Sequence, residues 1–228
     1  PIRPVLVGRG TRGARDGQTM AMTEEDLELI AHDYLGELGW RPMQGTDLND
    51  RRASAADLVL AVDLREAVAR LNPQVPATQL NQAIAEILTP ASQDAAAEAL
   101  RMHQFMVHGY RGVTWTAADG TEQNPTVRIV DPEPANNDWI AARQVTVRDL
   151  DARRRFDLVL YCNGLPVGIV ELKRGGSEAA TIASAHAQLA TYVREFPMAF
   201  RACVVTIVSD GVPARYGNPF AGLNHYSA

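Results

Sequence analysis

One stretch constrains the fold more than any other: residues 153–174, RRRFDLVLYCNGLPVGIVELKR. An apolar run over 156–162 meets Asn163-Gly164, a dipeptide that favours a tight β-turn, and a second apolar run over 165–170 ends in Glu171-Leu172-Lys173. The pattern predicts a β-hairpin. Its charges sit where strands are usually buried, with Asp157 near the start of the first strand and Glu171 and Lys173 closing the second. Ionised groups there need partners or a metal.

Alternation puts Glu171 and Lys173 on one face of the second strand and Leu172 on the other. Register decides whether Asp157 joins them. A two-residue Asn-Gly turn alone sets Asp157 opposite Val170, on the wrong face, because a slip of one residue reverses every side chain. A three-residue loop, Cys162-Asn163-Gly164 with Gly164 left-handed, pairs Asp157 with Ile169 and gathers all three groups. The longer loop or a bulge is therefore expected.

Two converging carboxylates suit a hard divalent cation such as Mg²⁺, with Mn²⁺ as a substitute, and an adjacent amine can orient or deprotonate an attacking water. This is the chemistry of metal-dependent phosphodiester hydrolysis. Lys173 is the only lysine among the 22 basic residues. Arginine stays protonated, whereas lysine can lose its proton when its surroundings favour that. The bland alternative is a solvated strand end carrying an i, i+2 ion pair.

Composition narrows the classes. No apolar stretch is long enough to cross a membrane as a helix. The two cysteines, Cys162 and Cys203, fall in predicted strands and read as reduced core residues of a cytoplasmic protein. A formal charge of −5 argues against a protein that coats nucleic acid. Arginines nevertheless concentrate near the hairpin, at Arg143, Arg148, Arg153, Arg154, Arg155 and Arg174, and the local field governs phosphate approach.

Along the chain, residues 1–22 read as an extended arm or an upstream leader. A helix begins after Thr23, a cap followed by three acids, with Leu27, Ile30, Tyr34, Leu35 and Leu38 as its apolar stripe and Gly39 as its stop. Glu28 on this helix either faces the hairpin or is a solvated charge. Residues 41–55 read as loop, and helices are expected at 56–70, 77–88 and 92–107. His103 and His108 lack partners at metal-ligand spacing.

After Gly109 the period becomes alternating. Short strands are expected at 112–116, 126–130 and 144–148, then the hairpin, a helix over 177–196 and a buried strand over 202–208. On that last helix Gln188 and Tyr192 lie four apart and share a face, either reaching toward the site or merely belonging to an amphipathic helix. The irregular tail ends without a stop signal, as if continuing into something longer. There is no phosphate-binding loop, zinc spacing, nucleophile elbow or internal repeat.

With these elements in order, the chain resembles the N-terminal domain of the motor and nuclease (R) subunit of Type I restriction enzymes, a member of the PD-(D/E)xK nuclease superfamily. The motifs that carry the resemblance are LGELGW (35–40), RLNPQVP (70–76), HGYRGV (108–113), VRIVDPEPANNDW (127–139), Gln144-Val145-Thr146, FDLVLYCNGLPVGIVELK (156–173), QLATY (188–192) and VSDGVPARYG (208–217). It implies an α/β fold: a restriction-endonuclease-like core with a mixed central sheet flanked by helices and a helical N-terminal half. The expected nuclease domain spans 23–228, helical to about 108, with its sheet core over 109–217.

The resemblance implies Asp157 and Glu171 as metal ligands and Lys173 as the catalytic lysine. Gln188 and Tyr192 would be the family's Q-x-x-x-Y pair, Glu28 the acid of the first helix, and Arg153, Arg154, Arg155 and Arg174 contacts to nucleic acid. Two departures stand out: Phe156 where the family usually has proline, and Gly168 where a bulkier apolar residue is common. The implied partners are double-stranded DNA and the methylation and specificity subunits of a restriction-modification complex. ATP would be used only by motor domains outside this chain. Competing readings are a non-catalytic nuclease-fold module for DNA binding or assembly, and a stand-alone repair or methylation-dependent nuclease.

Overall fold

The computed structural model describes residues 23–149, 152–173 and 181–228. Its first helix, α1 (Glu24–Glu37), opens with a reciprocal cap in which the Thr23 hydroxyl accepts from the Asp26 N–H and the Asp26 carboxylate accepts from the Thr23 N–H. Strand β1 (Arg41–Gln44) and a 3₁₀ segment (Gly45–Arg51) follow where the sequence reads as loop. Helices α2 (Ala61–Leu71), α3 (Ala77–Leu88) and α4 (Ala95–His108) come next. Then come β2 (Trp115–Thr116), β3 (Glu122–Gln123), β4 (Trp139–Asp149), β5 (Ala152–Cys162), β6 (Leu165–Leu172), α5 (Ile182–Glu195), β7 (Val205–Ser209) and β8 (Ala214–Gly217).

Six strands form one mixed sheet in the order β1-β4-β5-β6-β7-β8, and β2 pairs only with β3. The pairs β1–β4 and β6–β7 are parallel, the rest antiparallel. This is the mixed α/β sheet flanked by helices that the sequence implies. Leu158, Leu160, Val170 and Leu172 pack beneath Leu27, Ala31 and Leu35 of α1. Val145, Phe156, Val159 and Ile169 pack with Ala185, Leu189 and Tyr192 of α5. Helices α2–α4 close a further cluster with Val59 and Leu165. Each large side chain removed from water contributes about 2 kcal/mol.

Several local expectations are corrected. Residues 56–60 are not helical: Leu58 and Leu60 enter one cluster and Val59 another, a period of two, and the Leu60 N–H donates to the Gly164 carbonyl at 2.9 Å. Residues 126–130 form no strand beyond a single bridge between Tyr110 and Val127. The Asn72 side chain takes the place of a neighbouring strand there, donating to Arg128 O at 2.7 Å and accepting from Arg128 N at 2.8 Å. The strand expected at 144–148 runs the full length of β4, the strand expected at 202–208 is β7, and the tail contributes β8.

The expected stripe of α1 is split. Leu27 and Leu35 pack on the sheet, but Ile30, Tyr34 and Leu38 are exposed while Glu28 and His32 are buried. The helix is rotated to present polar groups inward, and His32 Nε2 lies 3.0 Å from the Ala141 carbonyl. His103 and His108 are on the surface, and both cysteines are free and buried, their thiols pushed up to about 12 by burial. No helix among the described residues is long and apolar enough to cross a membrane.

Candidate active site

The hairpin is closed by two residues, not three. Asn163 and Gly164 have φ of 50° and 81°, the doubly left-handed turn that suits strand twist, and Cys162 pairs with Leu165 and Tyr161 with Pro166. The register then shifts, so that Leu160 pairs with Gly168, Val159 with Ile169 and Leu158 with Val170. Val167 is the extra residue of a bulge, next to Pro166, which has no N–H for a ladder. The expected three-residue loop and the Asp157–Ile169 pairing are therefore replaced by the other route, the bulge.

Val159 and Ile169 pair and share a cluster, so two residues further along each strand Asp157 and Glu171 come into opposition. Asp157 Oδ2 accepts from the Leu172 N–H at 2.8 Å. Lys173 Nζ donates to Glu171 Oε1 at 2.9 Å, and the Lys173 N–H donates to the Ser209 carbonyl on β7. Glu171 is fully buried, Asp157 nearly so, and the Lys173 side chain is 16% exposed. The three groups meet where β5 and β6 leave the core.

Burial, then the Asp157 charge, pushes the Glu171 carboxyl up to about 8, against the pull of Lys173. Burial also pushes Asp157 up to about 6, with Glu28 adding to the rise and the Leu172 N–H opposing it. Burial disfavours the Lys173 ammonium, but Glu171 and its acidic neighbours outweigh this and its pKa is raised. Glu171 Oε2 is buried without a hydrogen-bond partner. An acceptor left bare beside a second carboxylate is what a cation-binding oxygen looks like before its cation.

From α1, Glu28 is 4% exposed, which excludes the solvated helix charge, and its charge acts on Asp157. Its Oε2 accepts from Gln144 Nε2 at 3.0 Å and lies 3.9 Å from Arg143 Nη1. From α5, Gln188 Nε2 donates to the Tyr192 hydroxyl at 2.5 Å, and the buried Tyr192 ring stands edge-on to Phe156, centroids 5.2 Å apart. Burial and the Glu171 charge both raise the Tyr192 pKa, so the pair stands near the carboxylates while bonding to itself. Phe156 thus supports that tyrosine, and Gly168 faces Leu160, whose side chain fills the space.

Of the arginines, Arg153 and Arg155 are exposed, whereas Arg154 pairs with Glu195 at 2.6 Å and lies over the Tyr192 ring. Arg174 lies outside the described residues. Two residues are missing from the sequence-derived site. Glu24, whose charge acts on Asp157, Glu171 and Lys173, lies four before Glu28, a spacing that places both on one helix face. Gln144 has φ of 57° and holds Glu28, and nothing in a strand pattern signals a left-handed glutamine.

Among the described residues, no three or more His, Cys, Asp and Glu side chains come together as a cation cage. Asp157 and Glu171 are the oxygens that could hold one. Two carboxylates fit Mg²⁺, which keeps several of its waters.

The sequence comparisons agree with one another. A family model described as Type I restriction enzyme R protein N terminus matches residues 21–225. The Type I restriction enzyme HindI endonuclease subunit of Haemophilus influenzae is 30% identical over 213 residues, covering 90% of this chain and 20% of that protein. A relative from Methanocaldococcus jannaschii, whose name assigns it to the same class of endonuclease subunit, is 24% identical over 207 residues, 88% of this chain. The chain spans 20% of the length of each of these two relatives.

Proposed function

Because the chain belongs to the Type I restriction enzyme R protein N-terminus family, we propose that it is the Mg²⁺-dependent endonuclease domain of such a subunit, hydrolysing phosphodiester bonds of double-stranded DNA. The observation that carries this reading is the bulge, which sets Asp157 opposite Glu171 and leaves Glu171 Oε2 buried and bare.

Asp157 and Glu171 would hold Mg²⁺, or Mn²⁺ in its place. A bound divalent ion there supplies Lewis acidity and a water of lowered pKa. The Leu172 N–H fixes one Asp157 oxygen and leaves the other to bind. Among the described residues Lys173 spends one N–H on Glu171, and the others would orient a water or a phosphate oxygen. Gln144 holds Glu28 facing the hairpin, and Gln188 holds the Tyr192 hydroxyl beside it. The motor that consumes ATP, and the methylation and specificity subunits that choose the site, belong to the rest of such a complex.

The test is cleavage of supercoiled plasmid with Mg²⁺ or Mn²⁺ by the chain and by Lys173→Ala and Glu171→Ala, repeated in the full-length subunit with its partners and ATP. Cleavage lost in both variants is expected, by about a thousandfold. Variants that cut as fast as the parent in both settings sink the reading.

A further inference from the structure

A cavity of about 510 Å³ lies between the 3₁₀ segment and the ends of β4 and β5. Its walls include Thr46, Asn49, Arg52, Gln144, Arg148 and Arg153. The Gln144 amide also holds Glu28. Gln144 therefore links the wall of the cavity to Glu28.

Its charge is unusual. Arg52 is held by neutral groups, donating to Thr146 O at 2.8 Å and Asn49 Oδ1 at 2.7 Å, and its Nε is buried with no acceptor. Arg148 and Arg153 occupy directly opposed positions on β4 and β5. Like charges so placed destabilise a sheet. Among the described residues, no carboxylate forms an ion pair with any of the three. Among the described residues these three guanidinium groups have no ion-pair partner around the cavity, and the planar donor fork of arginine matches phosphate.

Arg153 lies four residues from Asp157 along β5, about 13 Å at 3.3 Å per residue. That is about four base-pair rises of a duplex lying along the strand. We propose that this cavity is a phosphate subsite that holds the DNA backbone to one side of the scissile bond. The proposal rests on the nuclease reading for the identity of the ligand. A free polyphosphate shares the same chemistry, so the test separates the two sources.

The experiment measures binding of a short fluorescein-labelled duplex by anisotropy over a salt series, without divalent cation so that no strand is cut. The chain is compared with Arg148→Gln/Arg153→Gln, with Arg52→Gln, and with Arg65→Gln/Arg194→Gln as a matched change of charge. A circular-dichroism melt checks folding, and the exposed Arg148/Arg153 pair keeps the test valid if Arg52→Gln unfolds. The Arg148/Arg153 variant should bind about tenfold more weakly, with a log–log salt slope shallower by roughly two. The matched control should bind as the parent does.

Equal losses in the control, unchanged affinity in the Arg148/Arg153 variant, or no duplex binding by the parent each overturn the subsite. Inorganic pyrophosphate that binds the parent more tightly than the duplex does, and is lost in the arginine variant, reassigns the cavity to a small ligand and overturns the DNA assignment. Plasmid cleavage by Lys173→Ala, run in parallel, keeps the two readings apart. Cleavage lost there with duplex affinity intact in the arginine variant removes the subsite alone. Cleavage retained there with affinity lost in the arginine variant removes the nuclease reading alone.

Discussion

The two ends of the β5–β6 hairpin both bury polar groups, and they treat them in opposite ways. At the turn, Asn163 is fully buried and its side chain is saturated: it donates to Ile129 O at 2.9 Å and Asn137 Oδ1 at 2.8 Å, and accepts from Asp138 N at 2.8 Å. At the open end, Glu171 is equally buried, yet one of its oxygens has no partner. A satisfied buried group stabilises a unique fold, and an unsatisfied one costs stability unless something else completes it. The turn end therefore serves the structure, and the open end carries the cost of the bare Glu171 oxygen that the proposed function turns to use.

If so, damage to the turn should be felt as lost stability. A Cβ on Gly164 would lie 2.6 Å from Leu60 O and 2.7 Å from Leu64 N, backbone atoms at the start of α2, and its φ of 81° disfavours any side chain. Gly164→Ala should cost about 4 kcal/mol by adding a clash to backbone strain. Asn163→Ala should cost about 3 kcal/mol by leaving its partners unpaired. Urea unfolding measures both. A loss under 1 kcal/mol in each would remove the distinction between the ends.

The open end should behave in reverse. With its pKa raised from about 4.5 to about 8, Glu171 keeps its proton in the folded chain at pH values where the unfolded chain has released it. Its contribution is fully present below about pH 4.5 and is lost as pH rises through 8. Without divalent cation, melting temperature should therefore fall between pH 6 and pH 8, the window above the Asp157 value of about 6. Glu171→Gln should flatten that fall and gain about 2 kcal/mol at pH 8 while losing cleavage. A variant as pH-sensitive as the parent would show that the carboxylate is not strained.

The hairpin was legible because its signals are local: an Asn-Gly turn, two apolar runs, and Asp157, Glu171 and Lys173 all within the 22 residues 153–174. The cap at Thr23 and the prolines between helices are equally local, and α3 begins and ends where the sequence places it. The bulge was legible only as a need, since charges must converge, and the residue that supplies it, Val167, carries no signal. Strand β1 was missed because RPMQ becomes a strand only through parallel pairing with residues about 100 positions later. The stripe of α1 misled because Glu28 and His32 are buried through polar contacts with β4, to the Gln144 amide and the Ala141 carbonyl, and hydrophobic periodicity records only apolar burial.

Among the described residues, two that are not glycine have left-handed backbones, Asn163 and Gln144. Asn163 follows the end of β5, and Gln144 lies within β4 opposite Asp157 of β5. Val145 pairs with Phe156 and Ala142 with Val159, all four in one cluster although three positions apart, so the alternation breaks where Gln144 faces Asp157. Asparagine tolerates this conformation and its side chain is saturated, whereas glutamine has no such preference and its amide is turned to Glu28. Gly45 makes room behind it: a Cβ there would collide with the Gln144 carbonyl.

Strain held at the open end, where the glutamine amide donates to Glu28, is expected to serve the placement of that acid. Gln144→Gly should relieve about 1 kcal/mol of that strain, leaving stability equal to or slightly above the parent's. Plasmid cleavage should meanwhile fall about tenfold, since Glu28 loses the donor that holds it toward Asp157. Gln144→Ala, which keeps the strain and loses the amide, should be the less stable of the two and cleave as poorly. If the glycine variant cuts as fast as the parent, the left-handed glutamine is a matter of strand geometry alone, and the contrast between the two ends of the hairpin narrows to Glu171.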